Sequence, residues 1–165
     1  MSLTIGVDPG LTGAIAILDS YGELVNVHDM PVVDKQVSPR LVAGIVTDAG
    51  YFDDSDVYAN PVAVVEQVHS MPKQGVASSF KFGQSYGIVL GVLAASAIHV
   101  EHVTPSRWKR DMHLTADKEL SRRRAIDRWP SRSDWFKLKV APKPQIQGRA
   151  EAALIALWYI ERGSS

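Results

Sequence analysis

The sequence predicts an α/β protein whose sheet begins as an antiparallel meander and continues through alternating helices and strands. Short apolar runs at residues 3–7, 14–18 and 24–28 are separated by the turn sequences PGLTG and SYGE, which indicates consecutive antiparallel strands. The β-branched run PVAVVEQ at 61–67 is typical of a strand buried on both faces. GRAEAALIALWYIE at 148–161 is the clearest helix and completes the α/β pattern.

The other elements of the first hundred residues follow in chain order. Ser38 precedes Pro39, which suits the first turn of a helix, and we expect this helix to end near Ala49. After the buried strand, a loop containing MPKQG leads to a helix at 78–97 with apolar residues near helical spacing, and HVEHV follows as a short strand. The predicted order to this point is βββαβαβ.

The rest of the chain is predicted to be mainly helical. We expect a short helix at 106–112 and a longer one that ends at Trp129, with Thr115 or Asp117 as its N-terminal cap. The segment 130–147 contains three prolines and four Lys or Arg residues, so we expect it to be irregular up to the final helix.

Composition limits the kind of protein. With 165 residues, of which 45% are hydrophobic and 22% charged, the chain can build one core, so we expect a single domain over residues 1–165. Cysteine is absent, which excludes disulfides, cysteine-bound zinc and thiolate catalysis. No apolar run approaches the roughly 20 residues that span a bilayer, and the N-terminus lacks signal-peptide features. We therefore expect a cytoplasmic protein without membrane contact.

The net charge of zero conceals a strong asymmetry between the two halves. Up to Ser70 there are 2 Lys+Arg and 10 Asp+Glu, a net charge of −8, whereas the remainder has 16 and 8, a net charge of +8. The basic half favours an anionic partner such as nucleic acid, and the acidic half favours a divalent metal. Solvated helix faces that segregate by chance would give the same counts.

Three acidic residues occur where burial is expected. Asp8 ends the first strand, Glu66 lies inside the most apolar strand, and Glu151 lies on the inward side of the last helix if Ile155 and Trp158 pack. A buried carboxylate is normally paired, protonated or metal-bound, although a local hydrogen bond explains any one of them alone. If the first and fourth strands are neighbours, Asp8 and Glu66 meet, and oxygen ligands of this kind suit Mg²⁺ or Mn²⁺.

Five sequence blocks resemble, in order, the RuvC-type Holliday junction resolvases, especially their phage-borne and prophage-borne versions. The blocks are VDPGLTGAIAILD, VEQVHSMPKQGVASSFKFGQSYG, VTPSRWKRDM, DKELSRRRAIDRWP and GRAEAALIALWY. The resemblance covers nearly the whole chain and implies an RNase H-like fold, with a central mixed five-stranded sheet and helices on both faces. It further implies a homodimer that nicks two symmetric strands of a four-way DNA junction and leaves 5′-phosphate and 3′-hydroxyl ends. A branch-migration helicase is a candidate partner, and the bacterial host cytoplasm is the expected location if the protein is phage-encoded.

The resemblance also implies a metal site. Asp8 and Glu66 match the family's first two metal ligands, and Glu151 matches its last helical acid. Two Mg²⁺ or Mn²⁺ ions about 4 Å apart would activate a water and stabilise the leaving 3′ oxygen. Lys109 and Lys118 match lysines near the scissile phosphate that would offset charge in the transition state, with a solvated helix lysine as the alternative for either of them.

One departure from the family pattern bears on activity. Similar proteins carry a further aspartate about one turn before the helical acid, but residues 135–150 contain no acid here and Gln147 or Gly148 takes that place. A glutamine oxygen can coordinate Mg²⁺ without adding charge, so one metal site should be weaker. We favour a nuclease with three carboxylates over an inactivated form or a natural junction-binding protein that cuts poorly. An RNase H-like nuclease for flaps or RNA:DNA hybrids is a further alternative.

Basic side chains of the second half are candidate contacts to the DNA backbone, which would make affinity depend on salt. His69 matches a position where similar proteins often place an aromatic wedge, and its ring could stack on a base, although a loop histidine without a special role explains it equally well. The candidates are His69, Lys73, Lys81, Arg107, Arg110, Arg122, Arg123, Arg124, Lys137, Lys139, Lys143 and Arg149.

The helix at 78–97 is the candidate dimer interface. Its small residues would let a partner helix approach, although packing of the helix on its own sheet explains them equally well. These small residues are Gly83, Gly87, Gly91, Ala94 and Ala95. The four tryptophans are interpreted as core or dimer anchors rather than as platforms for DNA bases.

Overall fold

The computed structural model describes residues 2–50, 61–67, 75–137 and 139–163. The strands are β1 (Thr4–Asp8), β2 (Ala14–Leu18), β3 (Leu24–Asp29), β4 (Val32–Val33), β5 (Gln36–Val37), β6 (Val62–Glu66) and β7 (His99–Val103). The helices are α1 (Pro39–Gly50), α2 (Val76–Ala95), α3 (Pro105–Asp111), α4 (Lys118–Arg128) and α5 (Lys143–Gly163), with a 3-10 helix at Pro130–Phe136. None of the helices in the described ranges is long and apolar enough to cross a membrane.

Five strands form one mixed sheet in the order β3-β2-β1-β6-β7. β1, β2 and β3 pair antiparallel, whereas β6 runs parallel to β1 and β7 runs parallel to β6. Parallel neighbours need long crossover connections, and α1 and α2 lie in these crossovers. The predicted meander and the predicted mixed five-stranded sheet are confirmed.

Helices cover both faces of this sheet, as predicted. On one face, Ile5 and Val7 of β1 belong to an apolar core with residues of α1 and α2. On the other face, residues of β2 and β6 pack with α3, α4 and α5. α5 lies directly on β1, and the two are so close that a Cβ atom at Gly6 would collide with the carbonyl oxygen of Ala152. This close approach sets the height of α5 above the strand that carries Asp8.

The prediction of an irregular segment at 130–147 holds only for residue 137 and residues 139–142 and is wrong for the two ends of the segment. Residues Pro130–Phe136 form a 3-10 helix, and α5 begins at Lys143 rather than at Gly148. Pro144 lies in the first turn of α5, where its missing N–H would have no partner within the helix, so this proline is compatible with the helix start. Gln147 and Gly148 are therefore helical residues about one turn before Glu151.

Smaller differences concern element ends. α2 ends at Ala95 rather than at Ala97, because Ala97 adopts a left-handed backbone with φ 55°. The hairpin of β4 and β5 was not predicted, and it turns through Asp34 and Lys35 with φ of 51° and 61°. The cap of α4 is Asp117, whose carboxylate accepts a hydrogen bond from the backbone N–H of Glu119 at 2.9 Å.

Candidate active site

Three buried carboxyl groups gather at one edge of the sheet. Asp8 is the last residue of β1 and Glu66 is the last residue of β6. The two strands are parallel neighbours whose register pairs Val7 with Val65, so the following acids lie at the same edge. Glu151 approaches from α5, and the exposed fractions of the three acids are 8%, 7% and 1% in chain order.

The turn after β1 is built tightly around Asp8. The backbone N–H of Gly10 donates to Asp8 Oδ1 at 3.2 Å, and the N–H of Gly13 donates to the Gly10 carbonyl at 2.9 Å. A Cβ atom at Gly13 would collide with the Asp8 carbonyl and lie 2.9 Å from Asp8 Cγ. Glycine at position 13 therefore lets the turn fold back closely against the carboxylate.

Two lysines neutralise Glu151 from outside the sheet. Lys109 of α3 donates to Glu151 Oε1 at 2.6 Å, and the ammonium of Lys118, at the start of α4, lies 2.7 Å from Glu151 Oε2. The Lys109 side chain is 13% exposed and that of Lys118 is 50% exposed. The structure thus brings together both lysines and the helical acid that the sequence singled out.

Among the described residues, Asp8 and Glu66 form no such ion pair with a basic side chain, and both have raised pKa values. Burial raises the pKa of Asp8, with the Glu151 charge adding to the effect against the opposing Lys118 charge. Burial and the neighbouring Asp8 charge raise the pKa of Glu66 from 4.5 to about 7. Burial lowers the pKa of the Lys118 ammonium, but Glu151 outweighs it and the net direction is upward. The site therefore favours additional positive charge near Asp8 and Glu66.

The carboxylate oxygens of Asp8, Glu66 and Glu151 are chemically suitable ligands for a hard divalent cation. Mg²⁺ and Mn²⁺ prefer carboxylate oxygens, and a cation would relieve the burial of two acids whose pKa values are raised. As the side chains stand in the described ranges, no group of three or more acidic or histidine side chains already forms a metal cage. Glu151 is paired with Lys109 and Lys118, so these ammonium groups would have to move when a metal binds Glu151.

Gln147 and Gly148, the two positions considered for an additional acid, differ in the room that they offer a side chain. Gly148 is buried, and a Cβ atom there would collide with the Thr12 carbonyl and lie 2.9 Å from Gly13 Cα. No side chain fits at Gly148 unless the turn after β1 moves. Gln147 is half-buried one turn before Glu151, so of the two positions it is the one that already carries a polar side chain.

Two of the predicted DNA-contacting arginines are held within the chain. Arg149 makes a two-pronged ion pair with Asp29 at 2.6 and 2.8 Å and also donates to the Trp135 carbonyl at 3.1 Å. Arg122 binds the Glu119 carboxylate and donates to the Phe136 carbonyl at 3.0 Å. Their guanidinium groups connect α4 and α5 to neighbouring segments.

The remaining candidates differ in their surroundings. Arg107 lies over the Trp158 ring and Arg110 pairs with Asp111, while Lys81 is exposed on α2. Arg123, Arg124, Lys137, Lys139 and Lys143 are exposed. His69 and Lys73 lie outside the described residues.

Sequence reasoning missed the role of Trp108 beyond that of a core anchor. Trp108 is fully buried, and its indole N–H donates to Glu66 Oε1 at 2.8 Å. A buried indole needs an acceptor, which was the available signal, but its partner lies 42 residues away in the chain. Trp129 and Trp158 are also buried, which confirms three of the four tryptophans as core anchors, whereas Trp135 is only partly buried against the same core.

Comparisons with known proteins add information about the fold. No family model matches the chain, and no curated protein sequence matches it. Among solved structures, the chain is similar to a Thermus thermophilus RuvC structure, with 19% identity and a TM-score of 0.63 over 98% of this chain and 96% of that one.

A second similar structure is T. thermophilus RuvC in complex with Holliday junction substrate. It has 17% identity and a TM-score of 0.60, over 99% of this chain and 98% of that one. At this level of identity the likeness establishes the fold, which is the RNase H-like α/β fold of RuvC.

Proposed function

We propose that this protein is a structure-selective endonuclease that resolves four-way DNA junctions by metal-dependent, symmetric nicking. The observation that carries the proposal is the convergence of buried Asp8, Glu66 and Glu151 with Lys109 and Lys118 at one sheet edge. The RuvC-like fold supports the same reading. The products would be ligatable ends, with a 5′-phosphate and a 3′-hydroxyl.

The three acids would hold Mg²⁺ or Mn²⁺, with Gln147 as a neutral fourth ligand. When bound, two such ions would supply Lewis acidity that activates the attacking water and stabilises the leaving oxygen. Glu66 has to be ionised to serve as a ligand, and its pKa of about 7 makes that state accessible near neutral pH. The negative charge of these carboxylates would also repel the DNA phosphate until a metal cation has bound.

Lys109 and Lys118 would bind the scissile phosphate. Both ammonium groups already lie within 2.7 Å of Glu151, so a short movement would bring them to phosphate oxygens beside the acids. Cations placed there stabilise the negative charge that grows in the transition state. The half-exposed Lys118 side chain has the greater freedom to change partners.

The basic second half would hold the arms of the junction. Exposed cations on and after α4, including Arg123, Arg124 and Lys139, suit contacts to phosphates that position DNA without reading its sequence. Such binding should weaken steeply as salt rises, because each phosphate contact releases counterions.

The proposed active form is a homodimer paired through α2. Cβ atoms added at Gly83, Gly87 and Gly91 would meet nothing within 4 Å, so packing within the described chain does not require these glycines. Val76 and Phe80 of the same helix are 88% and 72% exposed. A two-fold dimer would present one site to each of two equivalent junction strands.

The test is a comparison of DNA substrates with the purified protein. A labelled mobile four-way junction, a flap and an RNA:DNA hybrid are incubated with and without Mg²⁺ or Mn²⁺, and Asp8→Asn serves as the inactive control. The proposal expects paired symmetric nicks on the junction alone, dependent on metal and absent in Asp8→Asn. Cleavage of the flap or hybrid in preference to the junction would contradict it.

A second candidate is a junction-binding protein that cuts poorly. The absence of an acid at Gln147 and Gly148, together with the pairing of Glu151 to two lysines, favours this alternative. It predicts binding without cutting in the wild type and nicking only in Gln147→Asp.

A further inference from the structure

We propose that Trp108 is a positioning residue that sets the orientation of Glu66, one of the three site acids. Its indole N–H holds Glu66, and its ring lies beside the ammonium of Lys109, which is paired with Glu151. The proposal rests on the metal-dependent function above and deepens it, because it assigns the orientation of Glu66 to a residue that itself binds neither metal nor DNA.

The hydrogen bond to Glu66 follows from the layout of the sheet. Glu66 pairs in register with Val103, the last residue of β7. α3 begins two residues later and carries Trp108 back over this strand end, where Nε1 donates to Glu66 Oε1 at 2.8 Å. Trp108 is 0% exposed, so water does not compete for this bond.

A donor at one carboxylate oxygen limits the rotation of the whole group. The indole nitrogen can only donate, so it favours the ionised, accepting form of Glu66 and lowers the pKa of that group against the larger upward effect of burial. With Oε1 held, the direction of Oε2 is set as well. Residues that orient metal ligands in this way typically contribute a factor of roughly 10–100 to metal affinity or activity.

The ring of Trp108 has a second contact at the site. The Lys109 ammonium lies 5.2 Å from its ring centroid and 2.6 Å from Glu151 Oε1. The 5.2 Å separation of the Lys109 ammonium from the Trp108 ring centroid falls within the range of a cation–π attraction. Trp108 therefore contacts Glu66 directly and lies beside one of the two lysines that neutralise Glu151.

The competing explanation is that Trp108 only fills the core. Trp129 provides the matched case, because it is 1% exposed and its Nε1 donates to the Gly22 carbonyl at 2.9 Å. Its acceptor belongs to the turn between β2 and β3 rather than to a site acid. Phenylalanine at either position removes one indole N–H and a similar volume from a buried place.

The experiment measures Mn²⁺ affinity by electron paramagnetic resonance without DNA, together with unfolding in urea, for the wild type, Trp108→Phe and Trp129→Phe. We expect both variants to lose stability, whereas only Trp108→Phe should weaken Mn²⁺ binding, by roughly 10–100-fold. Junction cleavage by Trp108→Phe should show a reduced kcat with little change in KM. Equal Mn²⁺ affinities in the two variants would overturn the proposal.

A nuclear magnetic resonance measurement tests the hydrogen bond independently of metal and activity. The chain has four tryptophans, and the indole N–H signal of Trp108 can be identified from its loss in Trp108→Phe. Glu66→Gln should shift this signal more than the other three, and an unshifted signal would overturn the proposal. If the wild type neither binds Mn²⁺ nor cuts junctions, the nuclease proposal fails, while the shift still decides whether Trp108 holds Glu66.

Discussion

Replacement of Glu66 by glutamine should stabilise the metal-free protein at neutral and alkaline pH. In the folded protein, burial and Asp8 raise the pKa of Glu66 from 4.5 to about 7. A raised carboxyl pKa means that the folded state binds the proton more tightly than the unfolded state does. The stability that Glu66 contributes is therefore complete below about pH 4.5 and is lost as the pH rises through about 7.

The size of the effect follows from the displacement of the pKa. At about 1.4 kcal/mol for each pKa unit, ionised Glu66 costs on the order of 3 kcal/mol of folding free energy above pH 7. Glutamine has nearly the same shape, keeps an oxygen that can accept from the Trp108 N–H, and does not ionise. The stability difference between Glu66→Gln and the wild type should be small near pH 4 and reach about 3 kcal/mol near pH 8.

The assay is urea unfolding with a metal chelator present, across this pH range. Glu151→Gln is the contrasting variant, because Lys109 and Lys118 neutralise Glu151 and its loss leaves two ammonium groups unpaired. Glu151→Gln should therefore lower stability rather than raise it. A Glu66→Gln protein that is less stable than the wild type near pH 8, or whose difference does not change with pH, would refute the reasoning.

Three further predictions concern neighbouring residues. Gly148→Ala should lower the free energy of unfolding by about 1–3 kcal/mol, measured in urea, because the added methyl meets the Thr12 carbonyl; unchanged stability would contradict this. Lys118→Met should tighten Mn²⁺ binding yet slow junction cleavage, because Lys118 is paired with Glu151. Arg123→Met removes an equal charge from the same helix and should leave Mn²⁺ affinity nearly unchanged. Equal effects of the two variants on Mn²⁺ affinity would contradict a specific role of the Lys118–Glu151 pair. Arg149→Met should reduce stability by about 1–3 kcal/mol, since it removes hydrogen bonds to Asp29 and the Trp135 carbonyl, and a loss of junction affinity without a loss of stability would show that its main partner is DNA.

Much of the site was predictable because it depends on strand order and helix faces. Asp8 and Glu66 each end an apolar strand, so the two acids meet if these strands are neighbours in the sheet. The sheet order confirms that β1 and β6 are adjacent. The inward position of Glu151 followed from helical periodicity, and it is 1% exposed. Local patterns of this kind determine which residues reach the same edge of a sheet.

Features that depend on the packing of separate segments were not predictable. The partner of Trp108 is set by where α3 crosses the end of β6, which no local pattern encodes. The start of α5 was misplaced because prolines suggested a loop, although a proline in the first turn of a helix is compatible with it. Gly148 inside this helix was a usable signal, since a helical glycine often marks a close approach, and here the approach is to Thr12 and Gly13.

The most direct test of the central claim is anomalous X-ray diffraction at the manganese absorption edge from crystals grown with Mn²⁺. The proposal of a three-carboxylate metal site predicts an anomalous peak among Asp8, Glu66 and Glu151, with the ammonium groups of Lys109 and Lys118 displaced from Glu151. Crystals of folded protein at saturating Mn²⁺ that show no peak there, with both lysines still on Glu151, would contradict it.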